Sequence, residues 1–182
     1  IVAYILASRA YSYRGIRLKK YPVTGYVTVV IFQGCLTFFI IMHGCSADKT
    51  LDVPVMGMLT AGLLIGGFYP LTQVYQHKQD RADGVISLSS LLGYKGTFGF
   101  TAVVYFLAMA CLGIFLFQKG QQNHFGIIQF FFLPVLVFFF WWFKKVMINT
   151  EAANFKNTMR MNLLASFCSN FAFITLLILQ KY

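Results

Sequence analysis

Only five of the 182 residues are acidic, and two of them close the run Tyr69-Pro70-Leu71-Thr72-Gln73-Val74-Tyr75-Gln76-His77-Lys78-Gln79-Asp80-Arg81-Ala82-Asp83-Gly84. On a continuous helix, Tyr69, Gln73, Gln76, Asp80 and Asp83 recur at i+4, i+3, i+4 and i+3. They would form one polar stripe descending from an apolar segment. Such a cluster at the edge of an apolar segment is a functional site by default. The same run also suits a plain helix end leaving a bilayer, with Gln and His at the interface and both aspartates solvated. Earlier in the chain, Tyr11-Ser12-Tyr13-Arg14-Gly15-Ile16-Arg17-Leu18-Lys19-Lys20 gathers two phenols and four cations in ten residues. Cations at that density suit phosphate or diphosphate, with Arg the better bidentate partner. They equally suit a basic anchor with interfacial tyrosines.

The segments that must position these residues are strongly apolar. The chain is 58% hydrophobic and 11% charged, with a mean hydropathy of +0.69. A soluble core of this length cannot absorb that excess, and disordered chains are poor in apolar and aromatic residues. The composition therefore specifies an integral membrane protein. Five stretches reach the length of about 20 apolar residues that a spanning helix needs: Thr24–Gly44, Val53–Tyr75, Thr97–Phe117, Phe125–Phe143 and Met161–Leu179. Ile1–Ser8 is too short and reads as the end of an earlier helix cut within its span. Runs such as Phe130–Val137 are apolar on every side, which excludes an alternating β-barrel. The expected fold is an all-α, polytopic transmembrane helix bundle forming a single domain over residues 1–182, incomplete at its N-terminus.

Charge sets the expected orientation. Twelve of the fifteen Lys and Arg fall in segments 9–20, 76–96 and 144–160; Lys49, Lys119 and Lys181 lie on the other side. The positive-inside rule places the three basic segments in the cytoplasm, and the expected location is the cell inner membrane. The net charge of +10 thus belongs to membrane topology, and no nucleic-acid partner is expected. The four cysteines show neither a CxxC pair nor zinc spacing, so no disulfide framework is implied.

The order Asp80-Arg81-Ala82-Asp83-Gly84, then Ser87-Leu88, then Leu92-Gly93 resembles the second aspartate-rich motif of the UbiA superfamily of intramembrane prenyltransferases. Tyr11-Ser12 through Arg17-Leu18-Lys19 resembles the family's basic loop in order and spacing, and one helical hairpin separates the two motifs in both. The resemblance covers essentially the whole chain, as the C-terminal two-thirds of a nine-helix bundle. It implies transfer of an isoprenoid from an allylic prenyl diphosphate to an aromatic or lipophilic acceptor, with membrane lipid around the bundle and Mg²⁺ assisting ionisation of the diphosphate. Asp80 would be the principal metal-linked catalytic carboxylate, with Asp83 and Gln76 as further metal ligands. Arg17, Lys19, Arg14 and Lys78 would hold the diphosphate, and either Tyr11 or Tyr13 would face the reacting carbon or position the substrate.

The chain departs from the family pattern in two places. The motif's first aspartate falls at Gln76, so one formal charge of metal affinity is absent, which His77 or Asp83 could offset in part. The family's first aspartate-rich motif, on a helix before the basic loop, is not in the sequence. Asp48-Lys49-Thr50-Leu51-Asp52 matches D-x-x-x-D by letters, but the charge pattern puts it on the opposite face. Two rival functions follow. Gln76 favours a non-catalytic UbiA-like protein that binds a lipid or a partner. A small transporter or channel subunit would require charges or broken helices at the midplane, and the five apolar stretches carry no charge.

Overall fold

In the computed structural model, which describes residues 1–13 and 15–179, every regular element is a helix. Five helices are long and apolar enough to cross a membrane: Pro22–Cys45, Val55–Ala82, Leu88–Gln118, Gln122–Ile148 and Phe155–Leu179. Each of the five expected apolar stretches lies largely within one of them. Several helices run further than the apolar residues alone indicate, because i→i−4 bonding continues through polar residues as well as apolar ones. The last begins at Phe155, where the Asn154 side chain accepts from the Asn157 N–H at 3.0 Å. Among the described residues the chain divides into two compact units, Ile1–Leu112 and Gly113–Tyr182, with the boundary inside one long helix.

The first unit opens with α1 (Val2–Ser12). A loop follows, then the first span, composed of α2 (Pro22–Val29), a π-helical stretch (Val30–Leu36) and α3 (Thr37–Cys45). Pro22 occupies the first turn of α2, where its missing N–H is not needed. The second span is α4 (Val55–Thr72), a 3₁₀ turn (Val74–Gln76) and α5 (His77–Ala82). Glycines let the two spans approach closely. A Cβ added to Gly34 would lie 2.5 Å from the Gly62 Cα, and one added to Gly62 would lie 2.6 Å from the Cys35 Sγ. This is small-residue packing, suited to a bilayer where apolar burial does not drive helices together. The chain then turns through Gly84 (φ 65°) into α6 (Leu88–Gln118), which is interrupted at Gly93 (φ 68°, ψ 176°). The Thr101 hydroxyl ties α6 to α4 by donating to the Gly67 carbonyl at 2.9 Å.

The second unit contains a helical hairpin of α7 (Gln122–Ile148) and α8 (Phe155–Leu179). Its buried α7 residues, Ile128, Phe132, Val135, Phe139, Trp142 and Val146, alternate in steps of four and three, the seam of a coiled-coil-like contact. The aromatic run therefore divides by face: Phe132, Phe139 and Trp142 are buried, while Phe130, Phe140 and Trp141 are exposed. Lys145 lies over the Trp141 ring, 4.1 Å from its centroid. In the connector, the Trp142 indole and the Asn157 amide both donate to the Ala152 carbonyl, at 2.7 and 2.9 Å.

Candidate functional site

The basic loop is built from the end of α1. The helix runs to Ser12, beyond the expected end at Ser8, because no glycine or proline interrupts it before Gly15. Tyr11 is thus helical and half-buried, while Tyr13 lies past the helix end and is 57% exposed. The loop closes as the Arg17 N–H donates to the Tyr13 carbonyl at 2.6 Å. Arg17 adopts a left-handed conformation (φ 45°, ψ 59°) and leads into the short turn Leu18–Lys20. Left-handed backbone is unusual for a residue with a side chain. Here it packs the loop against Gly25, whose added Cβ would lie 3.2 Å from the Leu18 carbonyl oxygen.

The opposing wall comes from the second span. The polar stripe does not lie on one continuous helix. After Thr72 the backbone changes to i→i−3 bonding, from Gln73 to Pro70 at 3.1 Å and from Gln76 to Gln73 at 2.9 Å. A 3₁₀ turn advances the side chains by more than an α turn does, so α5 starts in a new register. Tyr69 and Gln73 keep their neighbour relation, the Gln73 Nε2 donating to the Tyr69 hydroxyl at 2.9 Å. Gln76 instead donates through Nε2 to the Tyr75 hydroxyl at 2.8 Å.

The two walls meet at Tyr11 and Tyr69, whose hydroxyls are hydrogen-bonded. The Asp80 carboxylate feels the positive charges of Lys19 and Arg17 and the opposing negative charge of Asp83. The Tyr11 phenol lies on the last turn of α1, outside the five spans. Burial lifts its pKa above the ordinary value, the hydrogen bond with Tyr69 lowers it, and the negative Asp80 raises it again. Tyr11 is protonated at neutral pH, as an ordinary phenol already is. The Gln73 Oε1 is buried and meets no hydrogen-bond donor among the described residues.

The expected site residues therefore separate. Tyr11 meets Tyr69, the Asp80 carboxylate lies within electrostatic reach of Tyr11, Lys19 and Arg17, and Asp83 is exposed one turn further on. Tyr13 is exposed and its ring lies beneath Gly15. Lys78 is exposed on α5, and Gln76 is engaged by Tyr75. Arg14 lies outside the described residues. The Asp48 and Asp52 pair follows Cys45, at the end of the first span away from Pro22 and the basic loop. Tyr69 and Gln73 belong to the stripe, but sequence alone assigned them no role; their signal was the i+4 step from a tyrosine at an apolar helix end.

No cluster of three or more His, Cys, Asp or Glu side chains occurs among the described residues. Asp80 with Asp83 is a donor set of two carboxylates, which fits Mg²⁺, an ion that usually keeps waters and takes phosphate oxygens as its other ligands. The chain matches no protein-family model, no curated protein and no solved structure.

Proposed function

We propose that this chain is the prenyl-diphosphate-binding part of a UbiA-like intramembrane prenyltransferase, with its basic loops on the cytoplasmic face. The observation that carries the reading is the meeting of Tyr11 with Tyr69, beside Asp80 under the charges of Lys19 and Arg17. That arrangement joins one carboxylate, two cations and two neutral phenols at the mouth of apolar helices. A prenyl diphosphate has the matching parts: an anionic head, a reactive allylic carbon and an apolar tail.

Lys19 and Arg17 would bind the non-bridging diphosphate oxygens, since fixed cations aimed at developing negative charge favour its departure. Mg²⁺ held by Asp80 and Asp83 would neutralise further charge on the leaving diphosphate. The neutral Tyr11 and Tyr69 hydroxyls would present oxygen lone pairs toward the allylic carbon as it becomes positive. Gln73 adds an unsatisfied acceptor next to the tyrosine pair, and burying such a group without a donor is unfavourable. A hydroxyl-bearing acceptor molecule would satisfy it. The apolar helices would hold the tail and keep water from the cation.

The test is Mg²⁺-dependent binding of an unreactive prenyl thiodiphosphate to the protein in detergent, wild type beside Asp80→Ala. We expect saturable, metal-dependent binding that weakens about tenfold or more on substitution, as for the loss of a charged contact. A folded wild-type protein that binds nothing would reject the reading. It would favour the non-catalytic lipid- or partner-binding alternative, which Gln76 supports by placing an amide, already bonded to Tyr75, where the resemblance implies a carboxylate.

A further inference from the structure

The turn that carries Asp80 is not self-supporting. Helix α5 has six residues, too few to hold a helix in isolation, and the 3₁₀ turn separates it from α4. Its orientation must be fixed by tertiary contact. The one buried residue of α5 is His77, which is 7% exposed. Its ring stacks on Tyr94 with centroids 4.6 Å apart, and its Nε2 lies 2.7 Å from the Ser89 hydroxyl. The Ser89 hydroxyl lies 3.0 Å from that of Thr97, and both side chains are completely buried. Thr97 Oγ1 in turn lies 2.7 Å from the Gly93 carbonyl and 3.2 Å from the Ser89 carbonyl.

Proton counting gives this chain a direction. A carbonyl only accepts, so the single Thr97 hydroxyl proton goes to the Gly93 and Ser89 carbonyls. Thr97 must then accept from Ser89, and Ser89, having given its proton away, must accept from His77. The imidazole is therefore held with its proton on Nε2. The reverse direction would leave Thr97 Oγ1 and the Gly93 carbonyl oxygen 2.7 Å apart with no proton between them. The chain also bridges the break at Gly93, since Ser89 precedes it and Thr97 follows it.

We propose that His77 is a positioning residue: through Ser89 and Thr97 it locks the Asp80 turn to both sides of the break in α6. The anchoring stands on these contacts alone, and its consequence for ligand binding rests on the diphosphate reading. Three variants of the full chain in detergent test it: His77→Leu, His77→Gln and Ser89→Ala. A glutamine can set its amide nitrogen near the Nε2 position and donate to Ser89, whereas leucine fills space and donates nothing.

In His77→Leu and Ser89→Ala, amide exchange across Gln79–Val85 should rise about tenfold while that of Val29–Gly34 stays at the wild-type rate. Thiodiphosphate binding should weaken about tenfold, equivalent to about 1.4 kcal/mol, with a higher Mg²⁺ half-saturation. His77→Gln should restore most of both, and combining His77→Leu with Ser89→Ala should add little to either single change. The proposal fails if His77→Gln is no better than His77→Leu, or if exchange across Gln79–Val85 is unchanged in His77→Leu. If the wild type binds no probe, the diphosphate reading falls and the exchange comparison alone decides whether His77 holds the turn.

Discussion

The hydroxyl of Tyr11, on the last turn of the first helix, is bonded to that of Tyr69, 58 residues later near the end of α4. A phenol pair of this kind can be formed only when both helix ends reach the same depth. It therefore fixes the end of α1 against the end of α4. Removing one hydroxyl breaks a bond between two half-buried groups, at a cost of about 1 kcal/mol. Tyr11→Phe and Tyr69→Phe should each lower the thermal midpoint in detergent. The double variant should be milder than the sum of the two, and an additive result would show that the bond contributes nothing.

The cations of the site should separate by position and not by charge. Lys19 acts on Asp80, whereas Lys78 is exposed on α5. Lys19→Ala should weaken thiodiphosphate binding about tenfold, as for a charge-assisted contact, and Lys78→Ala should change it by less than about twofold, as for a screened surface charge. Equal losses from both would mean that the probe senses only the net charge of the membrane face.

Close packing of the first two spans predicts a strong response to a single methyl group. Gly34→Ala places a carbon 2.5 Å from the Gly62 Cα. Overpacking of this kind costs about 1–3 kcal/mol, and each kcal/mol lowers the melting temperature of a chain this size by about 2–4 °C. Gly99→Ala is the control, because nothing lies within 4 Å of its added carbon. A melting temperature unchanged by Gly34→Ala would contradict the packing of these spans.

In the second unit, Trp142 and Asn157 share one acceptor, the Ala152 carbonyl. Trp142→Phe or Asn157→Leu leaves that carbonyl with one donor, so each should cost only about 1 kcal/mol. The double variant strips it of both. Its loss should exceed the sum of the singles when unfolding is followed by denaturant titration.

The spans were legible because twenty apolar residues in a row have few alternatives in lipid. The basic loop and the acidic turn were legible as charge placed against that background. Sequence could not separate Tyr11 from Tyr13, which stand two residues apart; the end of α1 at Ser12 separates them. A continuous helix through Asp83 was a reasonable expectation from the i+3 and i+4 steps. The 3₁₀ turn at Val74–Gln76 defeated it, because a few polar residues specify bonding to i−3 or to i−4 almost equally well. The His77–Ser89–Thr97 chain was not legible at all. Two hydroxyls near an apolar stretch look like filler until the left-handed turn at Gly93 brings them together.

Gly34 and Gly62 meet with no side chain on either partner. Where a large residue faces a small one, drift can exchange their sizes and keep the contact. Here neither position can shrink to make room for the other, so no compensating pair of substitutions exists at constant helix spacing. The two sites should be frozen together over evolutionary time, changing only in lineages where the helices themselves have moved apart. A lineage that did so would also shift α4 relative to α2, and with it the depth at which Tyr69 meets Tyr11.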